Sequence, residues 1–284
     1  MSTPTRRAVL FDLDNTLILE DASTHAAVRE AARAAAERAG VDAERLATTA
    51  IETAERLWKA APSYAYGEAF GIWWGEALWG GFTGAGVGLD AIRAFLPGFR
   101  EAVWREALAQ ARRTDPRAAR RDATDAAIAR EMQDTYVRTR RARETIDPEA
   151  EPALLDLSRD HRLALLTNGA GDVQREKLAR TPFARYFDVV VVSVEVGVGK
   201  PDPRFFEIAL ERLAVAKADA TMVGDSLLRD VGGAQRAGLP AIWIDRGLVR
   251  EEGPVPDATI GRLSDLRAAL DGLERRTASA RGMP

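Results

Sequence analysis

Val9-Leu10-Phe11-Asp12-Leu13-Asp14-Asn15-Thr16-Leu17 lies near the start of the chain, and the fold class turns on it. Ala8 to Phe11 is an apolar run with the length and bulk of a central strand. Behind it the pattern breaks into Asp-x-Asp-x-Thr, which a strand core would not tolerate, because a buried charge needs a metal or a partner. Two carboxylates one residue apart at a strand's carboxyl end can bind Mg²⁺ together. One can also act as a nucleophile while its neighbour handles protons. A turn with helix-capping Asp and Asn is the alternative that this stretch alone leaves open.

The chain has 284 residues, 46% hydrophobic and 29% charged, with a net charge of −3. That length allows a substantial core in one domain or two. The slightly acidic balance argues against a general nucleic-acid or membrane-surface binder. No apolar run approaches the ~20 residues of a membrane span. Met1 to Arg7 runs straight into the first strand, leaving no room for a secretory signal, so the cytoplasm is the expected location. The absence of cysteine excludes disulfides, thiolate zinc sites and cysteine nucleophiles. Lysine is confined to Lys59, Lys177, Lys200 and Lys217, so a lysine in a suggestive place carries weight.

From about Ser23 to Arg143 the sequence is Ala-, Arg- and Glu-rich and helical in pattern, with no period-two strand. Ser23 or Thr24 is expected to cap a helix towards Gly40, and Asp42 the next, which ends before Pro62. Further helices are expected around Asp90–Phe95, Phe99–Arg112 and Arg121–Arg143. Beyond Pro148 and Pro152, strands and helices alternate. The strands are Leu163–Leu166, Val189–Val192, Thr221–Val223 and Ala241–Ile244; the helices are Gly171–Arg180, Pro203–Leu213 and Leu227–Ala237. Near-continuous apolar strands between amphipathic helices indicate a parallel sheet covered on both faces. The expected fold is therefore α/β. A core of residues 1–19 and 148–275 carries an all-helical insertion over 20–147, and 276–284 forms a disordered tail.

Ligands of such sheets bind outside the carboxyl ends of the strands, and four polar clusters fall there. Asp12-x-Asp14 is the first. Thr167-Asn168-Gly169 follows the second strand, with hydroxyl, amide and main-chain N–H groups suited to an anionic oxygen. Gly199-Lys200-Pro201-Asp202-Pro203 opens a helix and offers a cation for a carboxylate or phosphate. Gly224-Asp225-Ser226-Leu227-Leu228-Arg229-Asp230 follows Thr221–Val223, and its two acids can approach one cation. Each cluster has a bland alternative as a turn or cap. Together they supply an acid pair, a phosphate cradle, a cationic clamp and metal carboxylates, an inventory that suits phosphoryl transfer.

These four motifs, in this order and each after a strand, resemble those of the haloacid dehalogenase-like hydrolases. The resemblance implies a Rossmann-like core with a helical cap inserted after the first motif. It implies that Asp12 is the nucleophile and Asp14 the general acid/base, whose main-chain carbonyl also touches Mg²⁺. Thr167, Asn168 and Lys200 would bind the phosphoryl group, Asp225 would ligate Mg²⁺ and Asp230 would support the metal. Family members that dehalogenate lack an acid two residues after the nucleophile, so Asp14 favours phosphate-ester hydrolysis. A phosphomutase of the same fold, or a non-catalytic phospho-ligand sensor, remains open. No Gly-x-Gly-x-x-Gly follows the first strand, which excludes a dinucleotide binder of that kind.

The expected partner is a small phosphorylated metabolite, with no nucleic acid and no membrane, for a monomer or homodimer. Sugar phosphates, the N-acylneuraminate 9-phosphate type included, and nucleoside monophosphates are the leading substrate classes. Trp58, Trp73, Trp74, Trp79 and Trp104 fall in the insertion, either as its own hydrophobic core or as a pocket wall or dimer face.

Overall fold

The apolar run at the start becomes strand β1 (Ala8–Phe11), buried along its whole length. The protein is seen here in a computed structural model that describes residues 6–114, 122–142, 144–247 and 252–281. After β1 come six helices: α1 (Glu20–Ala39), α2 (Ala43–Lys59), α3 (Tyr64–Phe70), α4 (Trp74–Ala77), α5 (Val87–Thr114) and α6 (Asp122–Ala142). The chain continues through α7 (Ala150–Leu157), β2 (Arg162–Thr167), α8 (Gly171–Ala179), β3 (Val189–Val192), α9 (Ser193–Val196) and α10 (Pro203–Leu213). It ends with β4 (Ala220–Gly224), α11 (Gly232–Ala237), β5 (Ala241–Ile244), β6 (Ala258–Ile260) and α12 (Leu266–Arg281). Two compact units result: Met1–Leu19 with Ile146–Ala170 and Gln174–Pro284, and Glu20–Thr145 with Gly171–Val173.

The first unit is a Rossmann-like α/β sheet of six strands in the order β3-β2-β1-β4-β5-β6. Every pairing is parallel, and β1 lies between β2 and β4 with Phe11 level with Leu165 and Val223. Side chains alternate across it. Val9, Phe11, Leu163, Leu165 and Val223 pack with Leu154, Leu157, Leu266 and Leu270 of α7 and α12. Leu10, Ala164, Leu166 and Met222 face the other way, onto Phe205, Phe206, Ala209 and Ala234 of α10 and α11. Burying a Phe or Leu fully is worth about 1.5–3 kcal/mol, so this two-sided burial fixes the sheet and, with it, the edge where the strands end. The neighbours β2, β1 and β4 deliver Thr167, Asp12 and Asp225 to that one edge.

In the second unit, α1 packs on α6 and α2, and α2 on α5. Trp58, Trp74, Trp79, Trp104 and Phe82 are buried there, with Trp58 edge-on to Phe99 at 5.9 Å. These aromatics form the unit's own core. Arg140, fully buried, donates to both oxygens of Glu20 at 2.9 and 2.8 Å and to Glu144 at 3.2 Å.

Several boundaries differ from expectation. α1 begins at Glu20, with Glu20 and Asp21 in its first turn, where carboxylates complement the helix dipole; Ser23 and Thr24 are buried inside the helix instead of capping it. α5 runs unbroken through Pro97, because the buried stripe Leu89, Ile92, Leu96, Phe99 and Val103 outweighs one lost hydrogen bond. α12 makes residues 276–281 helical where a disordered tail was expected, and 282–284 lie outside the described residues. Asp42 caps α2 by accepting from the Arg45 N–H at 2.9 Å, as its position suggested.

Candidate active site

Asp12 leaves β1 at the sheet edge, its N–H donating to the Val223 carbonyl at 3.0 Å, one residue beyond the paired strand. Only 6% of the residue is exposed. One carboxylate oxygen accepts from the Lys200 ammonium at 2.5 Å, and the other from the Thr16 hydroxyl at 3.1 Å. Lys200 is buried too, and its ammonium also lies 2.8 Å from Asp230. Two glycines make room for these contacts. A Cβ at Gly224 would stand 2.3 Å from the Asp230 carboxylate, and one at Gly199 2.8 Å from the Asn168 side chain.

Asp230 reaches inward because residues Leu227–Val231 form a π-helical turn, of the kind often found at functional sites. Its second oxygen accepts from the Ser226 N–H at 3.0 Å. Trp243 on β5 holds the neighbouring main chain, its indole donating to the Asp225 carbonyl at 2.7 Å. Asp12, Asp225 and Asp230 each offer a carboxylate oxygen within 4.8 Å of the others.

Three carboxylates against one ammonium leave excess negative charge. Burial pushes the Asp12 carboxyl up to about 6, with Lys200 pulling it down and Asp230 adding to the rise. Asp225 is held well above the usual carboxylate range by burial first, then by repulsion from Asp12 and Asp230. Burial alone would favour neutral Lys200, but Asp12 and Asp230 outweigh it and keep the ammonium charged. A hard divalent cation that accepts oxygen ligands would relieve this excess, so the three carboxylates fit Mg²⁺.

The other expected residues divide. Thr167 ends β2, buried, with its hydroxyl donating to the Gln174 side chain at 3.0 Å. The Asn168 side chain, expected to face a phosphoryl oxygen, is spent on Lys200: it donates to the Lys200 carbonyl and accepts from the Lys200 N–H, both at 2.8 Å. Its work is to fix the turn that carries the lysine. The Asp14 carboxylate stands outside the cluster of three and binds Lys177 at 2.9 and 3.1 Å. Asp230, expected in a supporting place, belongs to the cluster itself.

Thr16, Gln174, Lys177 and Arg246 were not foreseen as site residues. Arg246, just past β5, donates to the Asn15 and Thr16 carbonyls at 3.0 and 2.5 Å and pairs with Asp147 at 2.6 Å. It pins the turn in which Asn15 adopts a left-handed φ of 58°. Thr16 follows Asp12 by four positions, so the hydroxyl's return was hidden only by the turn. Gln174 and Lys177 carried a signal, since they fall at buried positions of the α8 period beside Val173 and Leu178.

A Rossmann-like sheet with these four clusters at one edge defines a class, and the chain belongs to the haloacid dehalogenase-like hydrolases, whose family pattern it matches over residues 6–238. It is 41% identical over 263 residues to the phosphoserine phosphatase of Thermus thermophilus, covering 92% of this chain and 97% of that one. It is 33% identical over 150 residues to the N-acylneuraminate-9-phosphatase of Rattus norvegicus, covering 52% and 60% of the two chains. Among solved structures, a Bacillus subtilis HAD-hydrolase, YfnB, described as bound to magnesium, superposes with a TM-score of 0.60 at 20% identity. That match covers 94% of this chain and 99% of the other, and shows the shared fold. No helix among the described residues is long and apolar enough to cross a membrane.

Proposed function

We propose that this phosphoric monoester hydrolase acts on O-phosphoserine through an aspartyl-phosphate on Asp12, with Mg²⁺ as cofactor. The observation that carries the reading is Asp12 itself, a buried carboxylate held by Lys200 and Thr16 and crowded by two further acids. With its carboxyl at about 6, it is ionised near neutral pH and can attack.

An Asp12 oxygen attacks phosphorus, forming the acyl-phosphate bond as the ester P–O bond breaks. Asp14 gives its proton to the departing alkoxide. The Asp14 carboxylate then takes a proton from a water whose oxygen attacks the same phosphorus. That step breaks the bond to Asp12, releases phosphate and returns the proton to Asp14. Lys200 offsets charge on the phosphoryl oxygens and on Asp12, and Thr167 lies at the neighbouring strand end. Asp12, Asp225 and Asp230, with the Asp14 carbonyl, would hold Mg²⁺, which when bound neutralises phosphoryl charge.

The substrate reading is supported by the likeness to the phosphoserine phosphatase, which extends over nearly all of both chains. Likeness to the N-acylneuraminate phosphatase spans about half of this chain, so sugar phosphates and nucleoside monophosphates stand second. Phosphate release from O-phosphoserine, sugar phosphates and nucleoside monophosphates, with Mg²⁺ and after EDTA, tests it. O-phosphoserine should give the highest kcat/KM, with activity lost in EDTA and restored by Mg²⁺. Undiminished turnover in metal-stripped protein would overturn the metal assignment, and a preferred sugar phosphate or nucleotide would overturn the substrate.

A further inference from the structure

We propose that Lys177 is a positioning residue for Asp14, which it holds in the place from which Asp14 takes the proton of the attacking water. This rests on the acid/base reading of Asp14. Lys177 sits in the last turn of α8, fully buried, and its ammonium reaches both Asp14 oxygens, at 2.9 and 3.1 Å. A buried ammonium is costly unless a carboxylate partners it. A leucine or methionine would fill the same helix position without that cost. The lysine is therefore explained by what it holds, and it is one of only four in the chain.

Gln174 strengthens the case from the same helix. It lies three residues earlier, on the same face, is also buried, and accepts from Thr167 at 3.0 Å. One face of α8 thus presents two polar side chains where the helical period calls for apolar ones. Each binds a residue at the sheet edge, Thr167 at the end of β2 and Asp14 just past β1. The Asp14 side chain is 25% exposed while the lysine is 0% exposed. The pair thus fixes the carboxylate from the protein side and leaves it open to water on the other. A held carboxylate spends no time in unproductive rotamers, and misplacement by about 1 Å can cost ~10²-fold in rate.

The test uses Lys177→Met in the full chain with Mg²⁺, with Lys177→Gln in parallel should the first fold poorly. For nitrophenyl phosphate, whose leaving group needs little acid, kcat/KM reports the first step and should fall less than threefold. Meanwhile kcat should fall ~10- to 100-fold and a burst of nitrophenol should emerge, because breakdown of Asp12-phosphate becomes limiting. A residue acting through Asp14 should add nothing once that group is gone, so Lys177→Met should cost little on an Asp14→Asn background. Equal losses on both backgrounds, or an unchanged kcat, would overturn the proposal. Wild-type turnover by Asp14→Asn alone would overturn the acid/base reading itself, and the two failures are told apart by which variant shows them.

Discussion

Removing one acid from the site should make the metal-free protein more stable. Asp12, Asp225 and Asp230 bring carboxylate oxygens within 4.8 Å of one another. At an effective dielectric constant of about 20, each such pair repels by ~3 kcal/mol. Lys200 offsets part of this through Asp12 and Asp230, which it touches at 2.5 and 2.8 Å. The Asp12 carboxyl, raised from 3.8 to about 6 by burial first and by Asp230 after it, carries about 3 kcal/mol against its ionised form, of which repulsion is only one part. A carboxyl raised in the folded state lends stability below pH ~4 that is lost as pH climbs through 6. At pH 7.5 Asp12 is ionised and carries this penalty in the metal-free site. Asp225→Asn should recover about 2–3 kcal/mol of it, raising the midpoint of thermal unfolding in EDTA by roughly 4–8 °C. The gain should shrink at pH 5, where the wild-type carboxyls take up protons. Mg²⁺ should reverse the order, stabilising the wild type far more than the variant. A lower midpoint for metal-free Asp225→Asn at pH 7.5 would mean that the three acids do not strain the fold.

Other perturbations separate scaffold from chemistry. Arg140→Met removes the buried cation that Glu20 and Glu144 share in the helical unit and should cost about 3–5 kcal/mol, read by denaturant unfolding. Asn168→Ala removes two hydrogen bonds to the Lys200 main chain. At about 1 kcal/mol each, turnover should fall roughly tenfold or more while the melting midpoint moves only a few degrees.

The elements that were legible before the structure are those whose local chemistry is also their global chemistry. Val189–Val192 and Ala241–Ile244 are apolar because they are buried between helices, and Pro203 begins α10 where its missing N–H costs nothing. β6 escaped notice because three residues of an edge strand, Ala258–Ile260, leave too little pattern beside Pro254 and Pro256. Pro97-Gly98 reads as a break, and only the buried stripe on either side shows that α5 continues. The carboxylates and Lys200 could be assigned because their motifs recur in order along the alternating strands, Asp12 and Asp225 directly after β1 and β4, and Lys200 after β3 and the short helix α9. Lys177 was missed because it sits inside a helix and outside the four motifs; its buried helical position was the only signal, and its pairing with Asp14 appears only in the folded chain. Asn168 shows the converse. Its type and place suit an anion, but the loop carrying Lys200 folds back and takes both ends of its amide.

Chemical trapping puts Asp12 to the most direct test. Protein mixed with phosphate-labelled O-phosphoserine and Mg²⁺, then quenched in acid within milliseconds, should carry label on the peptide containing Asp12. Asp12→Asn should carry none and should not turn over. Label on another residue, or turnover by Asp12→Asn at the wild-type rate, would contradict a nucleophilic Asp12.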